Sequence, residues 1–309
     1  MSFFTRIMVG LDLSEMDDEL IEYVSNYVKV NKKVKTIYFV HVVNDLELPD
    51  NIQKKYGDFL IPNDETIKYE MKQEVNKYPD SFNNVDIQYE VLEGSPLKQL
   101  LHWSRVKLIE LIIAGKKIHE SGTGIVMEKL ARKSKCSILF VTEGQTSLLP
   151  SKKVLIPVDF SKRTDKIIEV VKELNHQVPD LKILGLNVVK VPHGYYKIGK
   201  SFEEFSEIMV QNEKENWEKY KNIHKLDDLE IEMHYEVNKS ENIAKIIFDF
   251  AQQSDVSLII MASKGQTEAS VLLLGSVAEK LISYDYQIPL LLVKNPEDIN
   301  DFFDALKKV

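Results

Sequence analysis

Cysteine is almost absent: Cys136 is the single one among 309 residues, so no internal disulfide can form. Bordering the apolar run CSILFV, it reads as a packed free thiol. The seven histidines show no HxH or HxxxH pairing, which removes the usual transition-metal constellations. There is no basic surplus either. The chain carries 40 Lys and Arg against 48 Asp and Glu, a net charge of -8, whereas a binder of duplex nucleic acid needs excess cations to neutralise phosphates. No apolar run reaches the about 18 residues of a spanning helix, so no membrane association is expected. The start MSFFTRIMVGLDLS enters a strand pattern directly, without a basic-then-apolar leader, and the expected location is the cytoplasm. What is present is ordinary for a globular protein: 44% hydrophobic and 28% charged residues, at a length that favours two cores.

Laid on itself, the chain repeats. RIMVGLDLS (6–14) corresponds to KVLIPVDFS (153–161), FVHVV (39–43) to GLNVV (185–189), and YEV (89–91) to YEV (235–237). LIIAGK (111–116) corresponds to LIIMASK (258–264), and SILFV (137–141) to PLLLV (289–293). Long-period self-similarity of this kind decides architecture before any local assignment. Each copy supplies five short runs of Val, Ile and Leu, apolar at consecutive positions, as strands of a parallel sheet covered on both faces require. Leu20, Ile21, Val24, Tyr27 and Val28 share a helical face after the first strand, as do Ile167, Ile168, Val171 and Leu174 in the second copy.

Ser14 and Ser161 are placed to cap these helices, Ser95 and Pro96 to start another, and Ser201 with Glu204 forms a capping-box pattern. Ile67, Met71 and Val75 predict a helix within 46–84, and Phe202, Phe205, Met209 and Trp217 read as the buried stripe of a second amphipathic helix, with a binding role for them as the alternative. TEGQTSLLPSKK (142–153) reads as a linker, and NPEDINDFFDALKKV, from Asn295 and Pro296, as a terminal helix. The prediction is an α/β protein of two tandem doubly wound five-stranded parallel-sheet domains, Rossmann-like, spanning residues 1–144 and 152–309.

Ligands of open parallel sheets bind beyond the carboxyl ends of the strands, at the point where strand order reverses. There the second copy places Asp159, then MASKG, nine intervening residues, and GS opening a helix. Gly265 can take a positive φ, Gly275 permits close approach, Ser276 adds a hydroxyl, and Lys264 brings a mobile positive charge, together a cradle for an anion. Taken one at a time, each of these has a bland alternative as a strand end, a helix cap or a turn residue.

VGLDLS, FVHVV and VLEGSP in the first copy, with VDFS and ASKGQTEASVLLLGSVAE in the second, resemble the universal stress protein family, whose domain runs through a strand ending in Asp, HVV, V.EG.P and G-x2-G-x9-G-S/T. The chain looks like a tandem member of it, which implies two adenine nucleotide alpha hydrolase-like folds. The resemblance also implies that CSILFV and PLLLVK meet antiparallel as an internal pseudo-dimer. Related domains bind ATP or AMP, often with a divalent ion such as Mg beside the phosphates. By that likeness Asp159 and the Val188 backbone would hold adenine, Ala262, Ser263, Lys264 and Gly265 ribose and phosphate, and Gly275, Ser276 and Val277 the phosphates. Where the family has its first motif glycine stands Ala262. The first copy offers Asp12, Val42, Gly115 and Gly124 as weaker candidates: Ile118 and Ile125 replace the motif glycine and serine, and Gly115 and Gly124 are only nine residues apart.

No Walker loop, kinase signature or GxSxG elbow occurs, and no base stands by the presumed phosphates, so no catalytic residue is assigned. The expected function is an adenine-nucleotide-binding stress-response protein acting through ligand-dependent shape, an unidentified protein partner or homo-oligomer formation. Slow ATP hydrolysis, self-phosphorylation and a nucleotide-free scaffold are the alternatives.

Overall fold

The computed structural model describes residues 4–46, 63–118, 123–239, 242–263, 274–284 and 287–294, with the side chains of 123–125 excepted. The chain divides into two compact units between Leu148 and Leu149, inside the stretch read as a linker.

In the N-terminal unit the described order is β1 (Arg6–Leu11), α1 (Met16–Val30), β2 (Thr36–Val43), α2 (Asn63–Val75), β3 (Asp86–Glu93), α3 (Pro96–Val106), β4 (Leu111–Lys116), α4 (Thr123–Lys133) and β5 (Ser137–Thr142). The C-terminal unit repeats it with β6 (Lys153–Pro157), α5 (Lys162–Gln177), β7 (Lys182–Val189), α6 (Phe202–His224), β8 (Ile231–Val237), α7 (Ile243–Gln253), β9 (Leu258–Ala262), α8 (Ser276–Ser283) and β10 (Leu290–Val293). Strand order is β3-β2-β1-β4-β5 in the first unit and β8-β7-β6-β9-β10 in the second, with parallel pairing throughout each. Both are the doubly wound α/β sheets expected from the sequence, and strand order reverses between β1 and β4 and between β6 and β9.

The register of the two reversals is the same. Ile7 pairs with Leu111 and Val154 with Leu258, so a shift of 147 residues carries one pair onto the other. Consecutive apolar residues in these central strands are buried on both faces: Ile7, Met8 and Val9, Leu111 to Ile113, and Val154 to Ile156 all have 0% exposure. Each unit's helical stripe falls where the spacing put it. Leu20, Ile21, Val24, Tyr27 and Val28 are buried on α1, and Ile167, Ile168, Val171 and Leu174 on α5. Met71 and Val75 are buried on α2. On α6, Trp217 and Tyr220 form the buried part of the stripe, while Phe202 and Phe205 are half-buried around Tyr195.

Capping follows the sequence in part. Ser161 accepts a bond from the Arg163 amide at 3.3 Å, and the Ser201–Glu204 capping box closes in both directions at 3.1 and 2.9 Å. Ser95 is the residue before α3 with Pro96 first in the helix, but its hydroxyl caps no amide. Ser14 is a correction: α1 is preceded by Glu15, and the buried Ser14 hydroxyl makes no hydrogen bond. The amides next to it are engaged by Asp17, described below. Cys136 is a buried thiol outside any disulfide, with its sulfur 3.2 Å from the Ser134 hydroxyl. The expected helix from Asn295 lies outside the described residues.

Candidate functional site

The carboxyl ends of β6, β7 and β9 bring the sequence-predicted residues of the second unit to one edge. β6 leads into Val158 and Asp159, and the chain then turns through Phe160, whose φ of 56° lies in the left-handed region. A bulky residue there costs about 1 kcal/mol or more, so the turn has to be held by its surroundings. The Asp159 carboxylate does so: Oδ1 accepts from the Ser161 amide at 3.1 Å and from the Thr164 hydroxyl at 2.9 Å. Aromatic packing does the rest. The Phe160 ring lies 5.8 Å from Tyr220 and 6.5 Å from Trp217, and the Tyr220 hydroxyl donates to Asp165 on α5. Burial and the adjoining Asp165 carboxylate push the Tyr220 phenol above its ordinary range, keeping it a donor.

Val188 is half-buried on β7, beyond Pro157–Leu186, where the register of β6 with β7 ends. Asn187 closes that end of the ladder by donating from Nδ2 to the Val158 carbonyl at 2.9 Å. Ala262 ends β9 half-exposed, and Ser263 is buried with its amide on the Val293 carbonyl at 3.2 Å. The Gly275 amide then donates to the Ser263 carbonyl at 2.8 Å, so the chain returns to the strand end it left.

Gly275 precedes α8 with φ −63° and ψ 140°, an extended conformation open to any residue, and has no side chain with which to cap the helix. Its carbonyl accepts from Glu279 at 2.8 Å. The amides of Ser276, Val277 and Ala278 come before that first intrahelical donor and point outward, at the positive end of the helix dipole. Ser276 is exposed and Val277 half-buried. Lys264 and Gly265 lie outside the described residues.

The N-terminal unit builds the same turn differently. Leu13 takes φ 59°, and Asp12 Oδ1 accepts from the Ser14 amide at 3.1 Å, matching Phe160 and Asp159. The other Asp12 oxygen pairs with Lys117 Nζ at 2.8 Å. Burial raises the Asp12 pKa, but Lys117 and the bond from the Ser14 amide outweigh it and hold the carboxyl below its usual value. Where the second unit has Thr164, this one has Asp17, 7% exposed, whose carboxylate accepts from the amides of Asp12 at 3.2 Å and Leu13 at 2.7 Å. Burial pushes Asp17 up to about 7, against those two bonds. Val42 is half-buried on β2, next to His41, whose Nδ1 lies 3.0 Å from the Leu11 carbonyl, as Asn187 bonds Val158.

Over β4 the contrast is one of volume. A Cβ on Gly115 would lie 2.8 Å from the sulfur of Met16 and 2.9 Å from its methyl carbon, so the Met16 side chain, 7% exposed, covers that glycine. Gly124 is the second residue of α4, whereas Gly275 stands before its helix. Met16, Asp17 and Lys117 went unread as site residues, although Asp12 was among the candidates. The signal was available in the 147-residue shift itself, which sets Met16 against Arg163, Asp17 against Thr164 and Lys117 against Lys264. No group of three or more His, Cys, Asp or Glu among the described residues is arranged to hold a metal ion.

The sequence model of the universal stress protein family matches residues 150–294. Universal stress protein MJ0577 of Methanocaldococcus jannaschii is 31% identical over 158 residues, covering 46% of this chain and 94% of the relative. The chain belongs to the universal stress protein family. A second relative from that organism, universal stress protein MJ0531, is 29% identical over 151 residues, covering 47% of this chain and 84% of its own. The fold is also that of solved family members across nearly the whole chain. A universal stress protein from Archaeoglobus fulgidus aligns with TM-score 0.61 at 17% identity, covering 94% of this chain and 98% of that one. One described as a putative universal stress protein from Pseudomonas aeruginosa aligns with TM-score 0.63 at 12% identity, covering 98% of both. Among the described residues, no helix is long and apolar enough to cross a membrane.

Proposed function

We propose that this universal stress protein binds an adenosine phosphate, ATP or AMP, in its C-terminal unit and responds to it through shape or partner binding. The observation that carries the reading is the bond from the Gly275 amide to the Ser263 carbonyl, which holds the glycine-led start of α8 against the end of β9. That arrangement suits an anion, because outward amides at a helix N-terminus supply donors and a favourable dipole together. Asp159 and the Val188 backbone lie at the neighbouring strand ends, where the family resemblance puts the base. Ala262 and Ser263 stand toward ribose, Gly275, Ser276 and Val277 toward phosphate, and Lys264 and Gly265 complete the set by sequence.

Among the described residues, the groups at the start of α8 are amides and the Ser276 hydroxyl. A Mg ion would be held chiefly by the phosphates, with the Ser276 hydroxyl as the protein group that could help hold it. Binding is favoured over turnover: Asp159 Oδ1 is already engaged by Ser161 and Thr164, and its place is at the base end, not beside phosphorus. The N-terminal unit is read as closed. Its exposed Asp12–Lys117 pair is worth at most about 1 kcal/mol, while the buried Met16 side chain is worth roughly 1.5–3 kcal/mol and occupies the space over Gly115.

Mass spectrometry of small molecules released on denaturing the purified protein, with calorimetric titration of the stripped chain, tests the reading. An adenosine phosphate bound at one site per chain supports it. A stripped protein that takes up neither ATP nor AMP defeats it.

A further inference from the structure

In a parallel sheet the amide and carbonyl of one residue face the same neighbouring strand, and alternate residues face alternate neighbours. On β7 the Lys182 amide donates to the Lys152 carbonyl and the Leu186 carbonyl accepts from the Val158 amide, both at 2.9 Å, so the even-numbered residues face β6. The odd-numbered ones face β8, where the Val189 carbonyl accepts from the Asn238 amide at 2.9 Å. The next bond of the β6 ladder would run from the Val188 amide to the Val158 carbonyl. It is not made. The register of β6 with β7 stops at Pro157–Leu186, and the Val158 carbonyl accepts from Asn187 Nδ2 at 2.9 Å instead. A carbonyl can only accept, so the NH2 of Asn187 must face it, and Oδ1 is left buried without a partner among the described residues. The N-terminal unit closes the same step. There the Thr36 amide on the Thr5 carbonyl turns the even-numbered residues of β2 toward β1, and the register runs one pair further, to Leu11–His41, which joins the Val42 amide to the Leu11 carbonyl. Val42 and Val188 occupy the same place in the repeat, so one amide is tied into the ladder and the other is released from it.

We infer that Asn187 is a positioning residue of the C-terminal site: it serves the Val158 carbonyl in place of Val188, which keeps the Val188 amide free to donate to a purine ring nitrogen and sets a preference for 6-aminopurines over 6-oxopurines. The inference rests on the nucleotide reading above and adds a residue outside the positions assigned there. Val188 turns its amide and carbonyl past the last β6 bond, where the chain leaves through the Phe160 turn, and so offers a donor beside an acceptor along one edge. A 6-aminopurine carries the complement, an unprotonated N1 next to an exocyclic NH2. A 6-oxopurine carries the reverse, N1–H next to a carbonyl, and a site built to hydrogen-bond one pattern rejects the other. Val158 is 3% exposed, so without the Asn187 donor its carbonyl would stay unsatisfied until the Val188 amide closed on it. A base would then have to break that bond to enter.

The test pairs amide hydrogen exchange, read residue by residue by NMR on the ligand-free full chain, with calorimetric titration of ATP and inosine triphosphate. The wild type is compared with Asn187→Leu, which keeps the volume and removes the orphan Oδ1, and with Asn187→Ala, which repeats the loss of the donor with less bulk. Thermal unfolding without ligand checks that both variants fold. In the wild type the Val188 amide should exchange about ten-fold or more faster than the Val42 amide, and in both variants it should slow by about ten-fold or more as the ladder closes. ATP should bind the wild type about ten-fold or more tightly than inosine triphosphate, and the variants should lose most of that preference because ATP alone weakens. A wild-type Val188 amide as protected as that of Val42, a comparison that needs no variant, overturns the inference and leaves the nucleotide reading standing. Exchange at Val188 that neither substitution slows does the same. An equal loss of both triphosphates assigns Asn187 a structural role and overturns the inference too. A wild-type chain that binds neither compound defeats the nucleotide reading, and the inference with it.

Discussion

The two units share a backbone and differ in what their side chains do at one edge of it. Around the left-handed turn, the N-terminal unit spends two carboxylates, Asp12 and Asp17, and a lysine, Lys117, on internal contacts, then covers Gly115 with Met16. The C-terminal unit holds the same turn with one carboxylate, a threonine and an aromatic buttress, and has Arg163 where the other has methionine. The turn itself, common to both, belongs to the fold. The space beside it is filled by Met16 in one unit and, on the reading proposed above, takes a ligand in the other.

The contrast breaks first at α8. Gly275→Asp puts a favoured capping residue before the helix, whose carboxylate would accept the α8 amides and repel a phosphate. The fold should survive, with nucleotide affinity falling about a hundred-fold or more, roughly 2.7 kcal/mol, while Lys117→Ala in the other unit leaves affinity unchanged; calorimetry reads both. Next comes Met16→Ala, which empties a buried site in the N-terminal unit and should cost about 2–3 kcal/mol in urea unfolding, without creating a second nucleotide site.

A smaller effect separates the units by pH. The Asp17 carboxyl is raised to about 7 from an ordinary 3.8, so the folded state holds a proton that the unfolded state releases between those values. Its contribution to stability is complete below about pH 4 and is lost as pH rises through 7, with a slope of up to about 1.4 kcal/mol per pH unit. Asp17→Asn should flatten stability against pH in that window; an unchanged profile would show that Asp17 is ionised throughout. Smallest is the pair of helix starts. Ser161→Ala should cost about 1 kcal/mol by thermal unfolding, whereas Ser14→Ala, which removes a buried hydroxyl that bonds nothing, should cost close to zero or stabilise slightly.

Much of this organisation is legible in the residues. Consecutive aliphatic runs at matching places in both halves locate the ten strands, and the stripes from Leu20 to Val28 and from Ile167 to Leu174 locate the helices against them. Ser201 and Glu204 announce their capping box because both bonds are local in sequence. Less legible are contacts that leave no periodic trace. Nothing about LDLS or VDFS marks Leu13 or Phe160 as left-handed, since the cause is a carboxylate folding back on amides two residues away. Ser14 and Ser161 look alike as caps, yet only Ser161 accepts a helix-start amide, and nothing in the local sequence separates them. The cover of Met16 over Gly115 joins residues 99 positions apart, and only the aligned repeat exposes its replacement by Arg163.

Calorimetric titration of ATP into the stripped wild-type chain and into Gly275→Asp tests the central claim most directly. The account predicts one site per chain in the wild type and an affinity lower by about a hundred-fold or more in the variant. Two equivalent sites, undiminished affinity in the variant, or no uptake by the wild type would contradict it.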